Sequence, residues 1–189
     1  MQVQLPIWLL GLFPLVLGAC GQPLENPLPD VGPELSGQQK VVLIDSAVWV
    51  YMDEASDPFA HERPAEPDCP AWSYVEEFGV LEVDTGSCGY LSVSQPILFE
   101  AQAGDILHIA IWHDTLTASE PATGHVAIQL GEDVMWEATI EIPSTPGAYS
   151  PKLALDKAYP KGTPVVFHLH NHGSNNWRLL PIELVTGVN

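Results

Sequence analysis

Three histidines at alternate positions, His168, His170 and His172, occupy the stretch Val165-Val166-Phe167-His168-Leu169-His170-Asn171-His172. Side chains alternate faces along an extended strand, so these imidazoles share one side while Val165, Phe167 and Leu169 face the other, into a core. Same-face neighbours stand about 7 Å apart, within reach of one ion. Neutral imidazole suits zinc and copper, so His168, His170 and His172 with His125 form a candidate metal set. The same alternation sorts the other histidines. In residues 106–113, Leu107, Ile109 and Ile111 face one way and leave His108 and Trp112 on the other side. In residues 126–130, Val126, Ile128 and Leu130 leave His125 and Gln129 outward, and in residues 134–142 the core set is Val134, Trp136, Ala138, Ile140 and Ile142. If these strands share a sheet, His108, Trp112, His125, Gln129, His168 and His170 make one patch. That composition suits a glycan: the indole stacks on a pyranose face while polar groups bond its hydroxyls. The plainer alternative is a row of solvent-facing histidines beside a tryptophan covered by a loop.

Known catalytic and metal patterns narrow these readings. A cupin carries a glutamate three or four residues after His-x-His, where this chain has Gly173 and Ser174. Phe167-His168-Leu169-His170 is similar to the Phe-His-x-His stretch of copper–zinc superoxide dismutase, but the other ligand-bearing and glycine-rich signatures of that enzyme are missing. A cupredoxin needs a late cysteine ligand, and the last cysteine here is Cys88. No Gly-x-Ser-x-Gly elbow, His-Glu-x-x-His helix or phosphate-binding glycine loop occurs. No catalytic residue is assigned, and binding is expected rather than turnover.

The elements that must position these residues begin after an export segment. Residues 1–19 contain an apolar run closed by Leu17-Gly18-Ala19, and Cys20 follows. The run is a secretory signal, too short to span a membrane. Leu17-Gly18-Ala19-Cys20 resembles a bacterial lipobox, which implies a lipid on Cys20 and cleavage before it. The segment departs from that pattern in having no Lys or Arg before the run and Gly at position 18. Gly21 stands where enterobacterial lipoproteins retained at the inner membrane carry Asp, so attachment to the outer membrane of the cell envelope is expected. Residues 20–38, with Pro23, Pro27, Pro29 and Pro33, read as a semi-extended tether. Cys69 and Cys88 then remain as a pair without metal-finger spacing, and export favours a disulfide between them.

Twenty-four acidic residues against six basic ones give a formal charge of −18. Nucleic acid and anionic lipid headgroups both need a basic footprint, so this balance excludes them as partners. Residues 53–84 hold ten of the acids and one base, Arg63. The first part of this segment, to about Pro70, reads as a long irregular loop where calcium is a possible ligand, although EF-hand spacing is absent.

Residues 39–189 read as one β-sandwich domain. Short β-branched and aromatic runs occur at 41–44, 48–51, 79–83, 90–93, 96–99, 106–113, 126–130, 134–142, 152–155, 165–170 and 179–185, separated by turn formers. No ten-residue stretch sustains helical periodicity without Gly or Pro. The expected class is all-β, an antiparallel two-sheet sandwich of jelly-roll type. The runs Cys88-Gly89-Tyr90-Leu91-Ser92-Val93-Ser94-Gln95-Pro96, Ala103-Gly104-Asp105, Trp112-His113, Gly124-His125 and 168–177 together resemble a family of secreted bacterial lipoproteins of myxobacterial type. The resemblance implies a shared domain and brings no activity with it. Gly173-Ser174-Asn175-Asn176-Trp177 is also similar to the last turn and strand of jelly-roll carbohydrate-binding modules. The expected function is therefore an envelope-anchored, glycan-binding sandwich. The alternatives are a zinc or copper protein, or a structural module that contacts other envelope components.

Overall fold

The computed structural model describes residues 39–187, so the signal segment, Cys20 and the tether lie outside the described residues. Fourteen strands follow in order: β1 (Gln39–Val42), β2 (Val50–Tyr51), β3 (Tyr74–Glu77), β4 (Val80–Asp84), β5 (Tyr90–Pro96), β6 (Ile106–His108), β7 (Ile111–His113), β8 (Ala122–Leu130), β9 (Asp133–Ile142), β10 (Gly147–Tyr149), β11 (Lys152–Ala154), β12 (Pro164–Asn171), β13 (Asn176–Leu179) and β14 (Glu183–Thr186). All pairings are antiparallel. One layer has the order β2-β5-β12-β8-β9, and the other consists of β10-β7-β13-β4-β3 and β11-β6-β14-β1.

These last two sheets are halves of one layer bent along a line. The chain passes from β6 to β7, from β10 to β11 and from β13 to β14 across the same crease, where Ile109 N–H donates to Pro151 O and Leu180 N–H to Ala110 O. Pro151 and Pro181 sit at the crease, and neither has an N–H to continue a ladder. The runs expected at 106–113 and 179–185 are thus each divided in two. Residues 97–99 lie beyond β5 and form no strand, while β3 and β10 arise outside the expected strand runs.

The core between the layers follows the alternation. Leu91, Val93, Val126, Ile128, Phe167 and Leu169 meet Leu81, Val83, Leu107, Ile111, Trp177 and Leu179, all at most 2% exposed. One stretch departs from it: a bulge opposite Ile128/Gln129 pairs Ile128 with Trp136 and Gln129 with Val134, leaving Met135 as the extra residue. Val134 is turned outward to 47% exposure and Met135 packs on the core instead.

The outer face of the β2-β5-β12-β8-β9 sheet is not bare. The segment after β2 lies across it, with one 3-10 turn at Ala60–Glu62. Phe59, Ala127 and Val166 form a second small apolar cluster there, with Met52 against it. Asp57 and Arg63 pair at 3.0 Å, with Asp57's side chain fully buried, and Tyr90 Oη donates to Asp57 at 2.6 Å. Arg63 also donates to Met52 O and to Tyr51 Oη. Cys69 and Cys88 are joined, as expected, which ties the far end of the segment to the start of β5.

Candidate metal centre

The covered sheet face carries the convergence of titratable groups. His125 on β8 lies directly opposite His170 on β12, and His168 is paired with Ala127 on one side and Ser92 on the other. Residues opposed across an antiparallel pair point the same way, so His125, His168 and His170 rise from one face. The 3-10 turn brings Glu62 down among them. His125 Nδ1 is 3.0 Å from the Glu62 carboxylate, and His168 Nε2 and His170 Nδ1 are each 3.4 Å from it. One donor atom each from Glu62, His125 and His168 lie within 4.8 Å of one another.

These spacings suit a shared cation. Zinc–nitrogen bonds of 2.0–2.1 Å at tetrahedral angles place neighbouring donors about 3.3 Å apart. In His125 and His168 the ring nitrogen turned away from Glu62 is also engaged. His168 Nδ1 is 2.9 Å from the buried Ser92 hydroxyl, and His125 Nε2 is 3.2 Å from Glu137. Metal-bound histidines regularly have their second nitrogen held in this way, which fixes the tautomer and aims the lone pair.

Electrostatics fits the same role. His168 is wholly buried beneath Phe59, whose ring stacks on it at 4.3 Å and 13°. Burial pushes its pKa down to about 4 against the pull of Glu62, so the imidazole is neutral. His170 is also lowered, by burial first and then by the neighbouring His172. Burial works to raise the Glu62 carboxyl, but the hydrogen bond and charge of His125, followed by His168, hold it below its ordinary value. Above these groups a groove of about 500 Å³ opens to solvent, with His172, Thr123 and Thr139 along its walls.

The structure divides the six-residue patch. His125, His168 and His170 come together, whereas His108 and Trp112 lie on the outer face of the other layer, across the core. There His108 contacts Glu183 at 3.0 Å and Ser150 at 2.8 Å, and Trp112 lies beneath the Arg178 guanidinium, 5.8 Å from its ring centre. Gln129 shares the face of His125 but sits near the far end of β8 and donates to Gly131 O. His168 has the expected direction without the expected exposure, because the loop covers it. His172 packs on His170 at 4.5 Å between ring centres, at the groove's edge rather than among the converging donors.

Glu62 is the residue that strand periodicity misses. It is one of ten acids in its segment, and the only local signal is Phe59, an aromatic among acidic and proline residues that marks where the loop docks. Other acids of this stretch are engaged elsewhere: Asp57 with Arg63 and Asp53 with Ser56 in the loop, and Glu82 on β4 with Arg178 and Asn176. Among the described residues, the one group of three converging metal donors is Glu62, His125 and His168.

No protein-family model and no curated protein matches the chain. Solved structures that align with it include a mutant family 29 carbohydrate-binding module complexed with cellulohexaose, at 15% identity and a TM-score of 0.42, covering 80% of this chain and 94% of that one. Another family 29 mutant aligns at 13% identity and 0.40, covering 79% and 93%, and a family 4 module at 15% and 0.36, covering 65% and 88%. These neighbours are carbohydrate-binding modules, and likeness at this level carries nothing about the site.

Proposed function

We propose that this chain is an exported β-sandwich that binds a first-row divalent metal, zinc or copper, through Glu62, His125 and His168, with His170 beside them. The carrying observation is the meeting of donors from three separate segments, with Glu62 3.0 and 3.4 Å from the two imidazole nitrogens, near the edge of a zinc tetrahedron. Elemental analysis of purified protein tests it. One equivalent of zinc or copper is expected, lost in His168→Ala and Glu62→Gln. Metal content that ignores both substitutions refutes the reading.

Glycan binding is a second reading, favoured by a different place. A shallow cleft of about 430 Å³ is bounded by Trp112, Pro146, Gly147 and Ala148, with Asp114 at its rim. A ring beside carboxylate and guanidinium groups suits a sugar. A glycan array should show binding that disappears in Trp112→Ala. A blank array in a metal-free protein leaves an envelope interaction module.

The lipobox-like Leu17-Gly18-Ala19-Cys20 supports lipid attachment, and Gly21 supports outer-membrane placement. Mass spectrometry of the mature N-terminus should find a diacylglyceryl-modified Cys20. Release of Cys20→Ala from membranes is the companion result.

A further inference from the structure

The metal reading leaves open whether the site is closed, as in structural zinc sites with four protein ligands, or keeps a position for an outside group. We propose that the ion bound by Glu62, His125 and His168 keeps an exchangeable coordination position facing the groove, where it takes a small monoanion with an oxygen or nitrogen donor. This inference rests on the metal reading.

Three observations carry it. Only three protein donors share the common 4.8 Å neighbourhood, one fewer than a closed site requires. Glu62 and His125 line the groove, while His168 is wholly buried beneath the loop, so the donors hold the ion from its floor and flank. The opposite side is the open groove, where Thr123, Thr139 and His172 can hydrogen-bond a ligand's outer atoms. Charge sets the ligand class. A divalent ion with one coordinated carboxylate and neutral imidazoles keeps one positive charge, which a monoanion balances. Glu137, the groove carboxylate nearest the donors, is already occupied with His125 Nε2 at 3.2 Å. The competing arrangement has His170 swing in as a fourth ligand, since its Nδ1 is 3.4 Å from Glu62.

Cobalt(II) in place of the native metal gives visible bands that report coordination, and azide is the probe. The expected result is one cobalt per chain with a saturable spectral change on adding azide, kept in His170→Asn. One cobalt per chain with a spectrum indifferent to azide, becoming responsive only in His170→Asn, shows that His170 closes the site and overturns the inference while the metal reading stands. If cobalt, zinc and copper all fail to bind, both fall together.

Discussion

Arg63→Met would test whether the loop carrying Glu62 is held to the sheet by its buried ion pair. The guanidinium is 3.0 Å from Asp57, donates to Met52 O and Tyr51 Oη, and stands 5.3 Å from the centres of the Tyr51 and Tyr90 rings. Methionine keeps much of the apolar stem but leaves the fully buried Asp57 carboxylate without its cation. Stranding one member of a buried pair costs about 3–5 kcal/mol. The covering segment is small beside the sandwich core, so the loss should appear as local opening rather than global unfolding. At 1.4 kcal/mol per decade, about 3 kcal/mol corresponds to roughly 150-fold faster exchange. The reporters are the Glu62 and Arg63 amides, which donate to Phe59 O and Ala60 O. Hydrogen exchange followed by NMR measures it. Asp57→Asn with Arg63→Met should recover much of the protection, because no buried charge is left unpaired. By linkage, metal affinity can fall by no more than the exchange factor. Exchange within a few-fold of the native rate, or an affinity loss larger than the exchange change, would refute the reasoning.

Three further outcomes follow from other parts of the structure. Replacing both Cys69 and Cys88, 19 positions apart, with alanine should lower stability by about 3 kcal/mol, read as a shifted urea midpoint. Gly147→Ala would place a Cβ 2.5 Å from His113 Nε2, whose buried ring packs on Trp177, so a loss of about 1–3 kcal/mol in thermal unfolding is expected. For Glu183, burial works to raise the carboxyl, but Lys40 at 2.7 Å and His108 at 3.0 Å hold it below the ordinary 4.5. A lowered folded-state value means its stabilisation is present above pH 4.5 and fades as pH falls through the lowered value. With Lys40 57% exposed the contribution is well under about 1 kcal/mol, and an NMR carboxyl titration should move upward in Lys40→Ala.

Strand alternation made the core legible, since Leu107, Ile111, Val126, Ile128, Phe167 and Leu169 face inward as their spacing dictates. Two kinds of information escape that pattern. Alternation gives the face of a side chain but not which strands are neighbours, so Trp112 and His125 look alike in sequence yet lie on opposite sides of the sandwich. Periodicity also cannot say what covers a face. His168, a polar residue on an outward position, is buried because Phe59 arrives from a segment more than a hundred residues away. Pro151 and Pro181 were visible in the sequence, and the crease they impose follows from their missing N–H groups once the strands are aligned across it.

The hydrogen-bond inventory of His125 gives an argument for a cation that does not depend on the donor spacings. Its Nδ1 faces Glu62 and its Nε2 faces Glu137, so both ring nitrogens meet carboxylates. A neutral imidazole has one N–H, and in that form one carboxylate confronts a lone pair at hydrogen-bonding distance. Either an added proton on His125 or a metal ion between Nδ1 and Glu62 removes the conflict. His168 carries no such conflict, since the Ser92 hydroxyl can donate to its Nδ1 and leave Nε2–H to donate to Glu62 at 3.4 Å. A metal ion would resolve the His125 conflict and engage His168 as well: Nδ1 of His125, Nε2 of His168 and Glu62 turn lone pairs toward it, while Glu137 and Ser92 take the remaining N–H groups. Glu137→Gln separates the two accounts. The amide oxygen still accepts from Nε2–H, so metal binding should survive with a modest loss, whereas a site held by His125 imidazolium between two carboxylates loses one of its two counter-charges.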